Sequence, residues 1–110
     1  MQIRLTTTGA RSGERRSATL YGWEDGEALV IVGSWGGAAR HPAWVHNLRA
    51  HPRASVTAGT RAWEVDAAEV PEGAERDRLW SLVVERFRLY DTYQRRTRRL
   101  IPLFILTPAG

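Results

Sequence analysis

In two parts of this chain, over residues 3–34 and 54–70, strand-like segments follow one another with only short turns between them. Glycines stand in these turns, as at Gly9 and Gly13 in the first and Gly26 in the second, and tight hairpin turns favour glycine. Consecutive hairpins are typical of an antiparallel sheet, whereas a helix between every two strands would indicate a parallel one. We therefore predict an antiparallel sheet of six strands, over residues 3–8, 15–23, 28–34, 54–58, 62–70 and 101–107.

Helical patterns fill the remaining segments. A histidine–proline pair at 41–42 is typical of a helix start, and a second such pair at 51–52 ends that helix. Apolar residues at helical spacing between 79 and 87 predict one long helix, which begins near Pro71. A further short helix is expected over 91–99. Inside the last strand, Pro102 favours an edge or bulge position, because proline cannot donate a ladder hydrogen bond.

Six short strands with few helices to cover them favour a small closed or half-closed barrel, so the fold class is mainly β. At 110 residues the chain is long enough for one core and too short for two, and residues 1–110 are expected to form one domain. The longest apolar run, Ala28–Gly33, is far below the ~20 residues of a membrane-spanning helix. No leader-like segment precedes the first strand, so we expect a soluble, cytoplasmic protein.

Arginine supplies all sixteen basic residues, and against twelve acids the formal net charge is +4. The excess is concentrated in residues 1–16 and 86–99. A basic surface attracts polyanions, which makes nucleic acid, anionic lipid and phosphorylated small molecules the candidate partners. Proteins that bind single strands use an ordered basic and aromatic strand face, and none is visible here. Nucleic acid is therefore not expected as a partner.

The residue types limit the chemistry that the chain can perform by itself. Cysteine is absent, which excludes disulfides, thiolate metal sites and cysteine nucleophiles. His41, His46 and His51 are five residues apart, and on one helix that spacing points successive rings in different directions, so no metal site is expected. No serine lies in a nucleophile motif, and no pair of acids suggests glycosidase chemistry. If the chain is an enzyme, its reactive atoms are expected to belong to a cofactor.

Two turns offer sites for an anion. Arg11 and Arg15 flank Ser12-Gly13, where guanidinium groups and turn amides could bind phosphate; the alternative is an ordinary solvated hairpin tip. The loop over 33–37 leads into a helix N-terminus, which is a second natural anion site. Trp44 follows closely, and its usual place would be the core. Beside two such turns, it could instead cradle a flat ring that carries a phosphorylated tail.

Phe87, Tyr90 and Tyr93 recur at a spacing of three, which puts them on roughly one side of a helix. A phenol combines an apolar ring with a polar tip. These side chains could therefore form either the rim of the core or the wall of a pocket, and the sequence leaves both open.

An ordered set of short motifs resembles the deazaflavin-dependent nitroreductase family. The matching residues, in chain order, are Thr6–Gly9, Arg11–Gly13, Arg16, Gly36-Gly37, His41–Trp44, Asn47-Leu48, Tyr90–Gln94, Thr97 and Ile101-Pro102. The resemblance spans nearly the whole chain. It implies a split β-barrel of the FMN-binding-protein type. It also implies a reductase that passes a hydride from reduced coenzyme F420 to a quinone, a nitroaromatic compound or another activated acceptor.

The resemblance implies the site residues as well. Arg11, Ser12 and Arg16 would meet the phosphate region of the deazaflavin. The other expected cofactor contacts are Ser17, Thr19, Tyr21, Val32, Gly33, Ser34, Trp35, Ala43, Trp44, Val45, His46, Asn47 and Tyr90. Ser34 and Tyr90 are the expected catalytic contacts, and the acceptor pocket is expected to be formed by Tyr21, Phe87, Tyr90 and Tyr93.

The chain also departs from the family's pattern, and alternatives stay open. Trp35 stands where a lysine is common, Val45 where a tyrosine is common, and no helix precedes the first strand. The same fold could hold FMN or haem in place of deazaflavin, or could carry a cofactor or lipid without turnover; a basic nucleic-acid-binding barrel is the remaining alternative. We expect a small-molecule acceptor and a monomer or homodimer. A lipophilic quinone acceptor would add peripheral contact with a membrane.

Overall fold

The antiparallel sheet of the computed structural model, which describes residues 1–109, has seven strands. They are β1 Gln2–Thr8, β2 Arg15–Tyr21, β3 Trp23–Asp25, β4 Ala28–Val32, β5 Arg53–Ala58, β6 Arg61–Glu69 and β7 Leu103–Pro108. The helices are α1 Ala43–Ala50, α2 Ala74–Arg86 and α3 Leu89–Arg96, and a short 3₁₀ turn, Trp35–Gly37, precedes α1. The mainly β class of the fold is confirmed, whereas the expected number of six strands is wrong.

The additional strand arises at Gly22, where the single strand predicted over 15–23 breaks into β2 and β3. These two strands lie at opposite edges of the sheet, whose order is β2-β1-β5-β6-β7-β4-β3. Between them, the Gly22 N–H donates to the carbonyl oxygen of Met1 at 2.8 Å. A Cβ at position 22 would lie 3.3 Å from Leu29 Cδ1 and 3.4 Å from Ile3 Cδ1, so glycine lets the chain pass close to both. Consecutive strands at opposite edges require the sheet to curl, which produces the split barrel.

The two faces of the sheet bury separate hydrophobic cores. Inside the barrel, Ile3 on β1 packs in a cluster that α1 closes, and the ring of Trp44 meets that of Phe104 edge-on with centroids 5.9 Å apart. Outside, α2 and α3 cover β4 and β7 with Leu79 and Val83 among others. Because β4 and β7 contribute side chains to both cores, each is a nearly continuous apolar run in the sequence.

The helices agree with the sequence in number and order but not in every boundary. α2 begins at Ala74 rather than near 71, and α3 begins at Leu89 and ends at Arg96 rather than spanning 91–99. Within residues 1–109, the structure contains no helix of the length and apolar character that crossing a bilayer requires.

The edge position expected for Pro102 is wrong, because β7 lies between β6 and β4. The strand begins after Pro102, at Leu103, so the missing N–H removes no bond from the ladder. The Pro102 carbonyl oxygen accepts a hydrogen bond from the Gly33 N–H at 2.9 Å. This bond fixes the start of the loop between β4 and α1, which forms much of the candidate site.

Candidate active site

An aromatic cleft opens between β2, the loop after β4 and the start of α3. Its volume is about 240 Å³. The lining residues are Thr19, Leu20, Tyr21, Val32, Ser34, Trp35, Pro42, Trp44, Phe87 and Tyr90. Apolar walls with a few hydroxyl groups are the chemistry that a planar, partly polar ring requires of its binding site.

Two further clefts lie beside the start of α1. The hairpin cleft, of about 850 Å³, is lined by Gly9, Ala10, Arg11, Ser12, Arg16, Ser17, Ala43, His46 and Asn47. The loop cleft, of about 510 Å³, is lined by Trp35, Ala39, Arg40, His41, Ala43, His46 and Arg99. The loop cleft shares Ala43 and His46 with the hairpin cleft and Trp35 with the aromatic cleft. The three clefts are therefore neighbours.

The hairpin turn between β1 and β2 is tightly built and leaves one arginine without a partner. The Gly9 N–H donates to the Glu14 carbonyl oxygen at 2.7 Å, and a Cβ at position 9 would lie 2.6 Å from Ser12 Oγ. Arg16 forms an exposed ion pair with Glu14 at 2.9 Å. Arg11 has no hydrogen bond or ion pair among residues 1–109, so its guanidinium is available to an anion in the hairpin cleft.

Arg15, the third arginine of this turn, serves a different surface. Its guanidinium donates to Ser55 Oγ at 2.9 Å and to Thr8 Oγ1 at 3.3 Å. It is not among the lining residues of the hairpin cleft. The arginines of this turn therefore serve two surfaces. Arg11 and Arg16 line the hairpin cleft, whereas Arg15 bonds to Ser55 on β5.

Asn47 fastens the hairpin turn to α1. Its Oδ1 accepts a hydrogen bond from the Ala10 N–H at 2.9 Å, and its Nδ2 donates to Thr7 Oγ1 at 3.0 Å. The side chain is 7% exposed. Both functional atoms of the amide are thus used within the protein, and they fix the position of Arg11 relative to the helix.

Tyr90 forms the inner wall of the aromatic cleft and is 6% exposed. The indole N–H of Trp23 donates to the Tyr90 phenol oxygen at 2.9 Å, which leaves the phenol proton free to donate elsewhere. Burial raises the pKa of Tyr90, so the phenol stays protonated. In the sequence Trp23 stands only at the end of a predicted strand, and nothing there indicates its bond to Tyr90. Its ring also stacks on that of Tyr21, with centroids 5.6 Å apart.

The loop after β4 brings Ser34 and Trp35 to the aromatic cleft. Ser34 is nearly buried, whereas Trp35 is 60% exposed and has a positive φ of 42°, a conformation that is uncommon for a bulky residue. The loop packs closely against α3 at Gly37, where an added Cβ would lie 2.8 Å from the Tyr93 carbonyl oxygen. Trp35 lines both the aromatic and the loop cleft, and its exposed side chain stands at the mouth that they share.

Three residues expected at the site do not line any of these clefts. Val45 is fully buried in the inner core. Gly33 lies behind the cleft, where an added Cβ would be 2.8 Å from Pro102 Cγ. Tyr93 packs behind the cleft wall, with its ring centroid 6.5 Å from that of Tyr90. The remaining expected residues all line the aromatic or the hairpin cleft.

The rings of His41 and His46 lie close together, although their spacing predicts that they point in different directions. The ring centroids of His41 and His46 are 5.7 Å apart, because His41 precedes α1 and helical spacing does not apply to it. Within residues 1–109, no group of three metal-binding side chains forms around them.

Arg99 is the other residue that sequence reasoning missed. In the sequence it is one of several arginines in the basic segment 86–99. In the structure its guanidinium donates to the carbonyl oxygens of Ser34 and Ala38, each at 2.8 Å, and so reaches into the loop between β4 and α1. Nothing in the composition of the basic segment distinguishes this arginine from its neighbours.

The donor set fits a molecule with a flat ring and an anionic end. Aromatic rings and hydroxyl groups line the aromatic cleft, and Arg11, Arg16 and Ser12 line the hairpin cleft. Guanidinium groups bind phosphate and carboxylate oxygens through paired N–H donors. A deazaflavin with its phosphate and carboxylates has this combination of groups.

Known proteins share both the sequence and the fold. An F420H(2)-dependent quinone reductase of Mycobacterium tuberculosis is 41% identical over 105 residues, which are 94% of this chain and 70% of that protein. A solved structure titled as an F420-H2 dependent reductase (FDR-A) is 40% identical, with a TM-score of 0.85, over 96% of this chain and 92% of that one. Another, titled as a domain-swapped dimer, is 40% identical with a TM-score of 0.86, over 96% of this chain and 78% of that one.

The sequence pattern that defines one protein family matches residues 1–108 of this chain. These likenesses also confirm the split β-barrel expected from the sequence. The chain belongs to the F420H(2)-dependent quinone reductase family, which confirms the resemblance seen in its motifs and makes it an F420-dependent reductase.

Proposed function

We propose that this chain transfers a hydride from reduced F420 to a quinone or another activated small molecule such as a nitroaromatic compound. The observation that carries the proposal is the adjacency of the aromatic cleft and the basic hairpin cleft along the start of α1. One cleft suits a ring and the other suits its charged tail. Membership of the quinone reductase family supports a quinone as the acceptor.

In this proposal Arg11, Ser12 and Arg16 bind the phosphate region of the deazaflavin. The remaining cofactor contacts are Ser17, Thr19, Tyr21, Val32, Ser34, Trp35, Ala43, Trp44, His46 and Tyr90, all of which line the clefts. Asn47 acts by holding the turn that carries Arg11. The bound deazaflavin supplies the hydride, and the protein contributes position and orientation.

The acceptor is proposed to lie in the aromatic cleft between Tyr21, Phe87 and Tyr90. The phenol of Tyr90 keeps its proton because burial raises its pKa, so it can donate a hydrogen bond to an acceptor oxygen as negative charge develops there. Ser34 offers a second hydroxyl in the same cleft. Donors placed in advance around a developing charge lower the barrier to reaction. Tyr93 shapes the cleft indirectly, through its contacts with Phe87 and Tyr90.

Homodimer formation is part of the proposal, supported by the related structure that is titled as a domain-swapped dimer. Peripheral contact with a membrane is also proposed, because a lipophilic quinone resides there. Exposed large apolar side chains support it; in the described part of the chain they are Met1, Tyr21, Trp35, Leu89 and Leu100. A solution measurement of mass and a vesicle co-sedimentation assay test these two points separately.

One experiment tests the central proposal. The purified protein is mixed with reduced F420 and a panel of quinones and nitroaromatic compounds, while cofactor oxidation is followed by absorbance. Oxidation that depends on both protein and acceptor supports the proposal. Tight F420 binding without any acceptor reduction would favour the carrier alternative, and tighter binding of FMN or haem in parallel titrations would replace the cofactor.

A further inference from the structure

The loop between β4 and α1 is held by one guanidinium group. Arg99 Nη1 donates to the Gly33 carbonyl oxygen at 2.9 Å, Nη2 donates to that of Ser34 at 2.8 Å, and Nε donates to that of Ala38 at 2.8 Å. No carboxylate forms an ion pair with Arg99 in the described part of the chain. A cation that is satisfied by carbonyl oxygens of one loop fixes the shape of that loop, because each bond constrains a different peptide unit.

The same guanidinium determines the state of a histidine. Arg99 Nη1 lies 2.9 Å from His41 Nδ1, and since a guanidinium nitrogen can only donate, Nδ1 must be the acceptor. The ring is therefore neutral, with its proton on Nε2. Nε2 has no hydrogen-bond partner among residues 1–109. Every buried side-chain nitrogen of these residues does have a partner, so Nε2 is not buried. It is open to solvent on a ring that lines the loop cleft.

The charges around His41 act in the same direction. Burial lowers the pKa of His41, followed by the charges of Arg99 and Arg49 and of the adjacent His46, while Glu69 opposes them. Glu69 is engaged by Arg49 in a bidentate ion pair. The basic groups thus outnumber the acid that faces the ring, which stabilises the neutral form.

We propose that Arg99 is the positioning residue of the cofactor site. It holds the loop that separates the aromatic cleft from the loop cleft, and it keeps His41 as a neutral donor whose Nε2–H is presented to an anionic group in the loop cleft. A carboxylate of an acidic tail is the chemical class that such a donor, flanked by Arg40 and His46, would bind. This inference rests on the proposed function for the identity of the ligand but not for the state of the histidine.

The histidine is tested first in the unaltered protein, without any ligand. Nitrogen-15 NMR of the imidazole rings reports which nitrogen carries the proton at neutral pH. We expect the Nε2–H form for His41 and a titration below that of an exposed histidine. An Nδ1–H form, or a ring that is charged at neutral pH, would overturn the proposal without affecting the reductase assignment.

Variants then separate positioning from simple stability. In Arg99→Met, the His41 titration is expected to move up towards its ordinary value, and F420 affinity to fall by about tenfold, equal to ~1.4 kcal/mol. Arg99→Lys keeps the charge but lacks the fork of donors, so it should fold and still lose affinity. Arg98→Met is the matched control, since Arg98 is exposed and lies next in the chain; it should leave both measurements unchanged.

Unchanged His41 titration and unchanged F420 affinity in folded Arg99→Lys and Arg99→Met would reject the positioning role. If the unaltered protein itself fails to bind F420, the proposed function fails instead. The NMR titration still decides the inference about Arg99 and His41 in that case.

Discussion

The indole nitrogen of Trp23 donates to the phenol oxygen of Tyr90 at 2.9 Å and so ties the edge strand β3 to the start of α3. This bond spans 67 positions in the chain. It orients the phenol whose proton we assign to the acceptor. Trp23 does not line the aromatic cleft, so it acts through Tyr90.

Replacing Trp23 by Phe tests this orientation. The variant keeps an aromatic ring but removes the donor, and a typical hydrogen bond contributes about 1 kcal/mol to stability. We expect a loss of that order in denaturant unfolding, with a several-fold lower kcat and little change in F420 affinity. Tyr90→Phe is the matched variant, and a Trp23→Phe change that leaves kcat intact would argue against the role of the oriented phenol.

Arg11→Ala is expected to weaken F420 binding by about tenfold, the effect of losing one charge-assisted phosphate contact. Stability should not change, because Arg11 is exposed and has no partner in the described residues. Isothermal titration and thermal unfolding measure the two effects. Arg15→Ala is the control on the same turn, since its guanidinium faces Ser55; equal losses in both variants would contradict the assignment of the hairpin cleft.

Asn47→Ala should cost more stability than either arginine variant. It removes the part-buried Ala10–Asn47 and the buried Asn47–Thr7 hydrogen bonds, and an unsatisfied buried group costs about 1–3 kcal/mol. We expect Tm to fall by several degrees and F420 affinity to fall with it. Thr7→Val removes one of these bonds away from the cleft and should reproduce part of both losses; full affinity in Thr7→Val would contradict a contribution of the Asn47–Thr7 bond to positioning the turn.

Acid should weaken the link between α1 and β6. Arg49 donates to both carboxylate oxygens of Glu69 at 2.7 Å, and this bonding lowers the pKa of Glu69 from its ordinary 4.5. A lowered pKa contributes stability that is present above pH 4.5 and is lost as the pH falls through the folded-state value. Both groups are partly exposed, so the contribution is at most about 1 kcal/mol.

The Glu69→Gln variant measures this contribution. Its unfolding free energy should lie below that of the unaltered protein at neutral pH, and the difference should shrink as the pH falls below 4.5, because the pKa of Glu69 is lowered from that value. Parallel curves across the whole pH range would show that the carboxylate charge of Glu69 contributes nothing.

The sequence predicts the hairpins because their determinants are local. Gly9 and Gly13 stand in one turn and Gly26 in another, and each turn joins strands that are close together in the sequence. The break at Gly22 is not predictable in this way, because it depends on the distant Ile3 and Leu29 that pack around it. Local patterns define elements, whereas barrel closure is decided by contacts between elements.

The candidate site shows the same division. The basic turn and the aromatic series at Phe87, Tyr90 and Tyr93 are visible as patterns of residue type. Arg99 and Trp23 are not, because an arginine among arginines and a tryptophan at a strand end gain their roles only from partners remote in the chain. Val45 was assigned to the cofactor by resemblance, but its helical position turns it into the core.

The aromatic cleft depends on the corner at Gly22, where the chain passes from one edge of the curled sheet to the other. The cleft draws one wall from β2 and the other from the loop after β4 and from α3, so it straddles the seam where the sheet returns on itself. A molecule bound there contacts both sides of the seam and opposes local opening between the two edges of the sheet. Amide hydrogen exchange at Gly22, whose N–H bonds to Met1 across that corner, should therefore slow when the cleft is filled.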